Sequence, residues 1–337
     1  MPKKIIRSLC LFTEELAPDA NDKLSTLQEA LEAKDFLIQT KRICTNEKDF
    51  GKLEAFYTDE DLLLSVGNCD LKYVINNYYD FCKASRTSCH VDISNGVEMV
   101  HVELLFRLIK EAPEKMFQFA FVVNNAVSSP YFPSAAFEKN GFALGLQPTD
   151  LAEGCHSLEE WFANMQAVWE ELCEVLKDEP DFLGIDSSIA PLFEENSSLI
   201  YFIKQIYGSF DEAVLSDAFI KITSFIKNSN PKPVGLCGLM LPCLEDFLLA
   251  DEYEQGRFSL ERNLFLSLHS GLGIDTYPVG TDESPEKILS ILQLLVGLSN
   301  KYDKPLSARF ISDGKAKIGE ETSFNNQFLK NVIIKAL

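Results

Sequence analysis

The chain has 337 residues, 46% of them hydrophobic, and carries 51 acidic against 31 basic side chains, a formal net charge of −20. A chain this apolar can bury a sizeable core, so the disordered class is excluded. The acid excess argues against nucleic acid and anionic membrane surfaces, which require clustered Lys and Arg; it leaves a solubilising surface or, more sharply, a pocket lined by some of the acids.

The apolar stretch from Ile5 to Phe12 predicts a buried strand. Leu24, Leu27 and Leu31 then fall at helical spacing between Asp22 and Ala33, and Phe36 to Cys44 predicts a second strand. That strand-helix-strand unit is long enough for a parallel crossover. Glu60 to Arg86 reads as mainly helical, Cys89 to Ile93 as a strand, and Glu98 to Lys110 as a helix stopped by Pro113. Met116 to Val123 is nearly all apolar and predicts a fully buried strand, with another at Phe142 to Leu146.

Ser157 and Glu160 form a capping-box pattern opening a helix that runs to Leu176, and Asp181 to Asp186 is a strand leading to Ser187 and Ser188. A helix over Ser209 to Asn228, a buried strand over Gly235 to Leu241 and a helix over Leu260 to His269 follow. Ser284 as N-cap, Pro285 at the first helical position and Glu286 in the first turn predict a further helix. Leu306 to Ile311 is the last strand, and Val332-Ile333-Ile334 is expected to pack back onto the body. Such alternation implies a parallel sheet covered by helices, in one domain over residues 1–337.

The nine cysteines are odd in number and scattered, with no CxxC. The opening Met1–Arg7 does not read as a signal peptide, and no apolar run approaches the ~18 residues that span a bilayer. A reducing, cytoplasmic location is expected. His90, His101, His156 and His269 form no HxxxH or HxH pattern, which disfavours a histidine-rich metal site.

Ligands of parallel α/β folds gather at strand carboxyl ends, where four segments place polar residues. In Gly184–Pro191, Asp186 can ligate a cation or accept a proton and Ser188 can bind an oxyanion; the plainer alternative is a turn in which both bond their own backbone. In Gly238–Asp246, Glu245 and Asp246 form an acid/base pair if buried together, or else sit in the first turn of a helix. Asp275 and Asp282 bracket a glycine-containing loop before the helix that starts at Pro285, a helix end that could receive an anion. Arg309 lies inside an apolar strand, where it needs a partner such as Asp275 or Asp186, a substrate carboxylate, or an edge position open to solvent.

Taken in order, Gly184–Pro191, Gly238–Asp246, Gly273–Pro278 and Lys304–Arg309 resemble the uncharacterised family called domain of unknown function 711. Gln39–Arg42 and Tyr131–Ser134 also fit its longer-armed members. The resemblance implies a large barrel-like α/β sheet similar to the pyruvate formate-lyase fold. It does not imply that enzyme's chemistry: Gly314 and Gly319 lack a radical-bearing context and no adjacent cysteine pair occurs, so no glycyl radical is expected. The chain departs from the family pattern at Glu194-Glu195 and at Ser209–Glu212.

Carried onto this chain, the pattern nominates Asp186, Ser188, Glu245, Asp246 and Asp275 as catalytic, and Arg309 and Asp282 as substrate-binding. Asp186 and Asp275 are the candidates for a divalent cation such as Mg²⁺. The expectation is a carboxylate-lined site acting on a small polar metabolite by a non-radical mechanism. The alternative is a non-catalytic metabolite-binding or regulatory protein on the same scaffold. A small molecule is the expected partner, without nucleic acid or membrane, and a homodimer is the default assembly.

Overall fold

The structure, a computed structural model, describes residues 2–337. Ten strands share one sheet: β1 Lys4–Thr13, β2 Phe36–Ile38, β3 Lys41–Thr45, β4 Leu62–Cys69, β5 Thr87–Asp92, β6 Phe119–Val123, β7 Gly141–Leu146, β8 Phe182–Asp186, β9 Gly273–Pro278 and β10 Leu306–Ile311. Their order is β8-β7-β1-β3-β4-β5-β6-β10-β9, with β2 extending the parallel pairing of β3 along β1.

The sheet is mixed rather than wholly parallel. β1, β3, β4, β5 and β6 run one way, and both flanking pairs, β7–β8 and β10–β9, run the other. The ladder is open, with β8 and β9 as its edges. Between them lie residues 233–246, which touch both edges through isolated parallel bridges, Pro233 to Ile185 of β8 and Pro242 to Asp275 of β9.

Strand alternation sorts side chains to the two faces. Leu9, Leu11, Ile43, Leu62 and Leu64 join the main hydrophobic cluster, where Leu24, Leu27 and Leu31 of helix Ala20–Glu32 also pack. The opposite face carries Cys10, Phe12, Cys44 and Ala143, which enclose Ala135 in a second small cluster. Ala135 belongs to the long connection between β6 and β7, which lies against this face. Ser8 Oγ donates to the Pro130 carbonyl at 2.7 Å, Tyr131 Oη to that of Leu146 at 2.7 Å, and His90 Nδ1 lies 2.8 Å from that of Pro133. Gly145 makes this approach possible, because a Cβ there would sit 2.6 Å from the Tyr131 ring.

Three expectations are corrected. Glu60 to Arg86 is not mainly helical: its apolar run forms β4, and Asp70 caps the first of two short helices, Leu71–Asn76 and Tyr78–Lys83. Ser209 to Asn228 divides into helices Phe210–Val214 and Ala218–Asn228, and an unforeseen helix, Leu199–Tyr207, precedes them. Gly235 to Leu241 is no regular strand. Gly235 and Cys237 take positive φ (74° and 43°), and the N–H groups of Leu236 and Cys237 turn to the Asp186 carboxylate instead of a ladder partner. In the tail, Val332 and Ile334 are buried while Ile333 faces solvent.

Candidate functional site

A cavity of about 130 Å³ opens on the sheet face that the β6–β7 connection covers. One water needs roughly 10–15 Å³ of such space, so the cavity suits a small metabolite rather than a nucleotide-sized ligand. Its charged walls are Arg7, Arg42, Arg309, Glu245 and Asp275, with Arg86 alongside. Phe117, Tyr131, Phe132 and Met240 supply apolar surface.

Two ladder irregularities aim two of these arginines. The β1–β7 register shifts between Ile6 and Ser8, leaving Arg7 as the extra residue. The β10–β9 register shifts between Ala308 and Phe310, so Arg309 faces Asp275 and Thr276 together, with Thr276 at φ 40°. Such bulges turn side chains that a regular strand would hold elsewhere.

The polar bonds form one network. Arg7 Nη2 donates to Glu245 Oε2 at 2.9 Å, and its Nη1 reaches Gln147 and the carbonyl of Ala190, each at 3.1 Å. Arg309 Nη1 donates to Glu245 Oε1 at 3.2 Å and Asp275 Oδ1 at 2.7 Å, and its Nη2 to the Phe117 carbonyl at 3.1 Å. Arg309 Nε is buried and unpartnered. Burial holds the Asp275 carboxyl above its ordinary range against the pull of Arg309, and the neighbouring Glu245 charge pushes the same way.

Arg42 differs from the other two. It is buried, its Nε donates to Thr40 Oγ1 at 2.9 Å and its Nη1 to the Pro130 carbonyl at 3.4 Å, and the Phe132 ring centroid lies 5.1 Å from its guanidinium. Among the described residues no carboxylate lies within ion-pair distance of it. Burial, then the charge of Arg7, pulls its pKa down to about 10. Arg86, by contrast, is occupied by the carbonyls of Glu54, Tyr57, Asp59 and Leu62.

Of the residues nominated from sequence, Glu245, Asp275 and Arg309 come together here. The others lie outside the cavity walls. The fully buried Asp186 accepts from Ser129 Oγ, Ser188 Oγ and the N–H groups of Ser188, Leu236 and Cys237. A Cβ at Gly235 would fall 2.3 Å from Asp186 Oδ2, so only glycine lets this loop wrap the carboxylate. Ser188 Oγ in turn accepts from the Gly238 N–H at 3.1 Å.

Asp246 caps two helices at once, bonding the N–H groups of Leu199, Leu248 and Leu249 and the hydroxyl of Ser198. Burial pushes its carboxyl up to about 6. Asp282 is exposed and accepts from the Ile318 N–H at 2.9 Å. The candidate cation pair is therefore divided, with Asp275 on the cavity and Asp186 in the loop latch. Among the described residues no three His, Cys, Asp or Glu side chains converge.

The missed cavity residues are Arg7, Arg42, Tyr131 and Phe132. Gln39–Arg42 and Tyr131–Ser134 were conspicuous only through the family resemblance, and an arginine inside an apolar strand, the signal used for Arg309, also marks Arg7 and Arg42.

Residues 70–325 match the family model described as Uncharacterised ACR (DUF711), about three quarters of the chain. A UPF0210 protein of Syntrophobacter fumaroxidans (strain DSM 10017 / MPOB) is 30% identical over 124 residues, 36% of this chain and 26% of that relative. The alignment thus spans about a quarter of that protein's length. Glu245, Asp275 and Arg309 fall within the family match, whereas Arg7 and Arg42 precede it. This chain belongs to the uncharacterised DUF711 family.

Proposed function

We propose that the protein takes a small organic anion into the arginine-lined cavity and acts on it by a non-radical mechanism, with Glu245 and Asp275 handling the proton transfers. Arg42 is the observation that carries this reading. An unpaired buried charge costs free energy, and a guanidinium is built to hold carboxylate or phosphate through two parallel hydrogen bonds. Three guanidiniums (Arg7, Arg42, Arg309) against two carboxylates (Glu245, Asp275) leave the cavity positive within a chain of net charge −20. That balance disfavours a hard cation, which prefers several oxygen ligands and no competing guanidinium. Asp275, held above the ordinary carboxylate range by burial, is suited to accept a proton and return it.

Calorimetric titration of acetate and of inorganic phosphate, at fixed ionic strength, tests the reading. Binding at least tenfold weaker in Arg42→Gln than in the wild type is expected. No heat for either anion with the wild-type protein would overturn it. The binding-only alternative draws on one observation: Glu245 and Asp275 both bond arginines, as counter-ions would. A bound acid that stays chemically unchanged by NMR over hours of incubation would favour that alternative.

The same proposal takes the sheet as a barrel similar to the pyruvate formate-lyase fold, with residues 233–246 as the stave that completes the ring. Its bridges to β8 and β9 and the two opposed strand directions support this. Near-continuity of the main hydrophobic cluster supports a single domain. No helix among the described residues is long and apolar enough to cross a membrane, and the nine cysteines are free; both fit the proposed cytoplasmic setting.

A further inference from the structure

A second cavity, of about 30 Å³, adjoins the first and shares Tyr131, Phe132, Met240, Asp275 and Arg309 with it. Beyond these shared walls its lining is mainly apolar, with Leu236, Leu241, Leu272 and Gly273. Ser134 and Ser307 are its added polar residues. At roughly 10–15 Å³ per water, it holds about two methyl-sized groups.

We infer that the ligand is a monocarboxylic acid with a short hydrocarbon chain, its carboxylate among the arginines and its chain in the apolar lobe. The inference rests on the anion reading of the larger cavity and adds the second half of the molecule. An inorganic anion would leave the lobe unused. A dicarboxylate would bring a second charge against Leu236, Leu241 and Leu272, where the one guanidinium in the lining, Arg309, is already bonded to Glu245 and Asp275. A long acyl chain exceeds the space. Asp275 and Arg309 stand where the two cavities meet, so the carbon next to the carboxylate lies beside the Asp275 carboxyl.

The test is a calorimetric series of acetate, propanoate, butanoate, hexanoate, malonate and inorganic phosphate at constant ionic strength. Affinity should rise roughly fourfold per methylene from acetate to butanoate, the equivalent of ~0.8 kcal/mol per buried CH₂. It should then fall at hexanoate, and malonate should bind more weakly than propanoate. Ser134→Val, which narrows the lobe, should flatten the dependence on chain length. Equal affinity for acetate and butanoate, or preference for malonate or phosphate, would overturn the inference yet leave the anion site standing. Absence of binding by every anion would defeat the anion reading itself.

Discussion

A guanidinium held inside a protein by one threonine hydroxyl and one carbonyl, with no carboxylate partner, lowers stability unless something else uses it. Replacing Arg42 with Met should therefore leave the chemical-denaturation midpoint unchanged or raised, by about 1 kcal/mol in stability, while removing anion binding. A midpoint that falls by several kcal/mol would make Arg42 a structural residue. Gly145 gives the opposite kind of prediction. A Cβ there would meet the Tyr131 ring at 2.6 Å, so Gly145→Ala should cost about 1–3 kcal/mol and weaken ligand binding by displacing a cavity wall. Urea denaturation and titration of the same variant read both effects.

Asp275 adds a pH dependence to binding. Burial raises its pKa, so it takes up a proton in a pH range above that of an ordinary aspartate, and the cavity then becomes more positive. Affinity for the anion of a strong acid should increase as pH falls through that range, and Asp275→Asn should abolish the increase. The sequence marked Asp275 beside a glycine-containing loop and Arg309 inside an apolar run, and both fall within strands, β9 and β10. It could not foresee that Arg7 occupies a bulge and Arg309 sits opposite one, since a one-residue shift of register depends on the partner strand.

Among elements, the two buried aspartates hold backbone segments that lack ladder partners. Asp246 serves the N-termini of helices Leu199–Tyr207 and Phe247–Glu254 together. Asp246→Ala would strand those N–H groups in the interior and should destabilise the protein by about 2–4 kcal/mol, beyond the ~1 kcal/mol of a single surface cap. Its folded pKa of about 6 lies above the ordinary 3.8, so the folded state binds the extra proton between those values. This group's contribution is fully present below pH 3.8 and is lost as pH rises through 6, by up to about 3 kcal/mol. Comparing urea unfolding of the wild type and Asp246→Asn at both ends of that range isolates it.

Helix Leu158–Val175, with a cap and a periodic apolar face, was legible in the sequence to within a residue or two, as was the start of Pro285–Tyr302. β4 was not, because Leu62-Leu63-Leu64 carries no period that separates a buried strand from a buried helix. The stretch after Pro233 misled for a different reason. Its apolar residues read as a strand, but the carboxylate that claims its N–H groups lies about fifty positions earlier, in Asp186.

For the whole molecule, the alternation of strands and helices announced the sheet, while the reversal of β7, β8, β9 and β10 against the other strands required long-range pairing that spacing does not encode. That reversal brings Arg7 and Arg42 from the first fifty residues to Glu245, Asp275 and Arg309 from the last hundred. The acid-rich sequence suggested a carboxylate-lined site, and the cavity instead gathers more guanidiniums than carboxylates. Bromide is a small anion with an anomalous X-ray signal, so a bromide-soaked crystal reads this balance directly. The account predicts an ordered anomalous peak beside Arg42, facing Arg7 and Arg309; a cavity free of bromide while surface sites fill would contradict it.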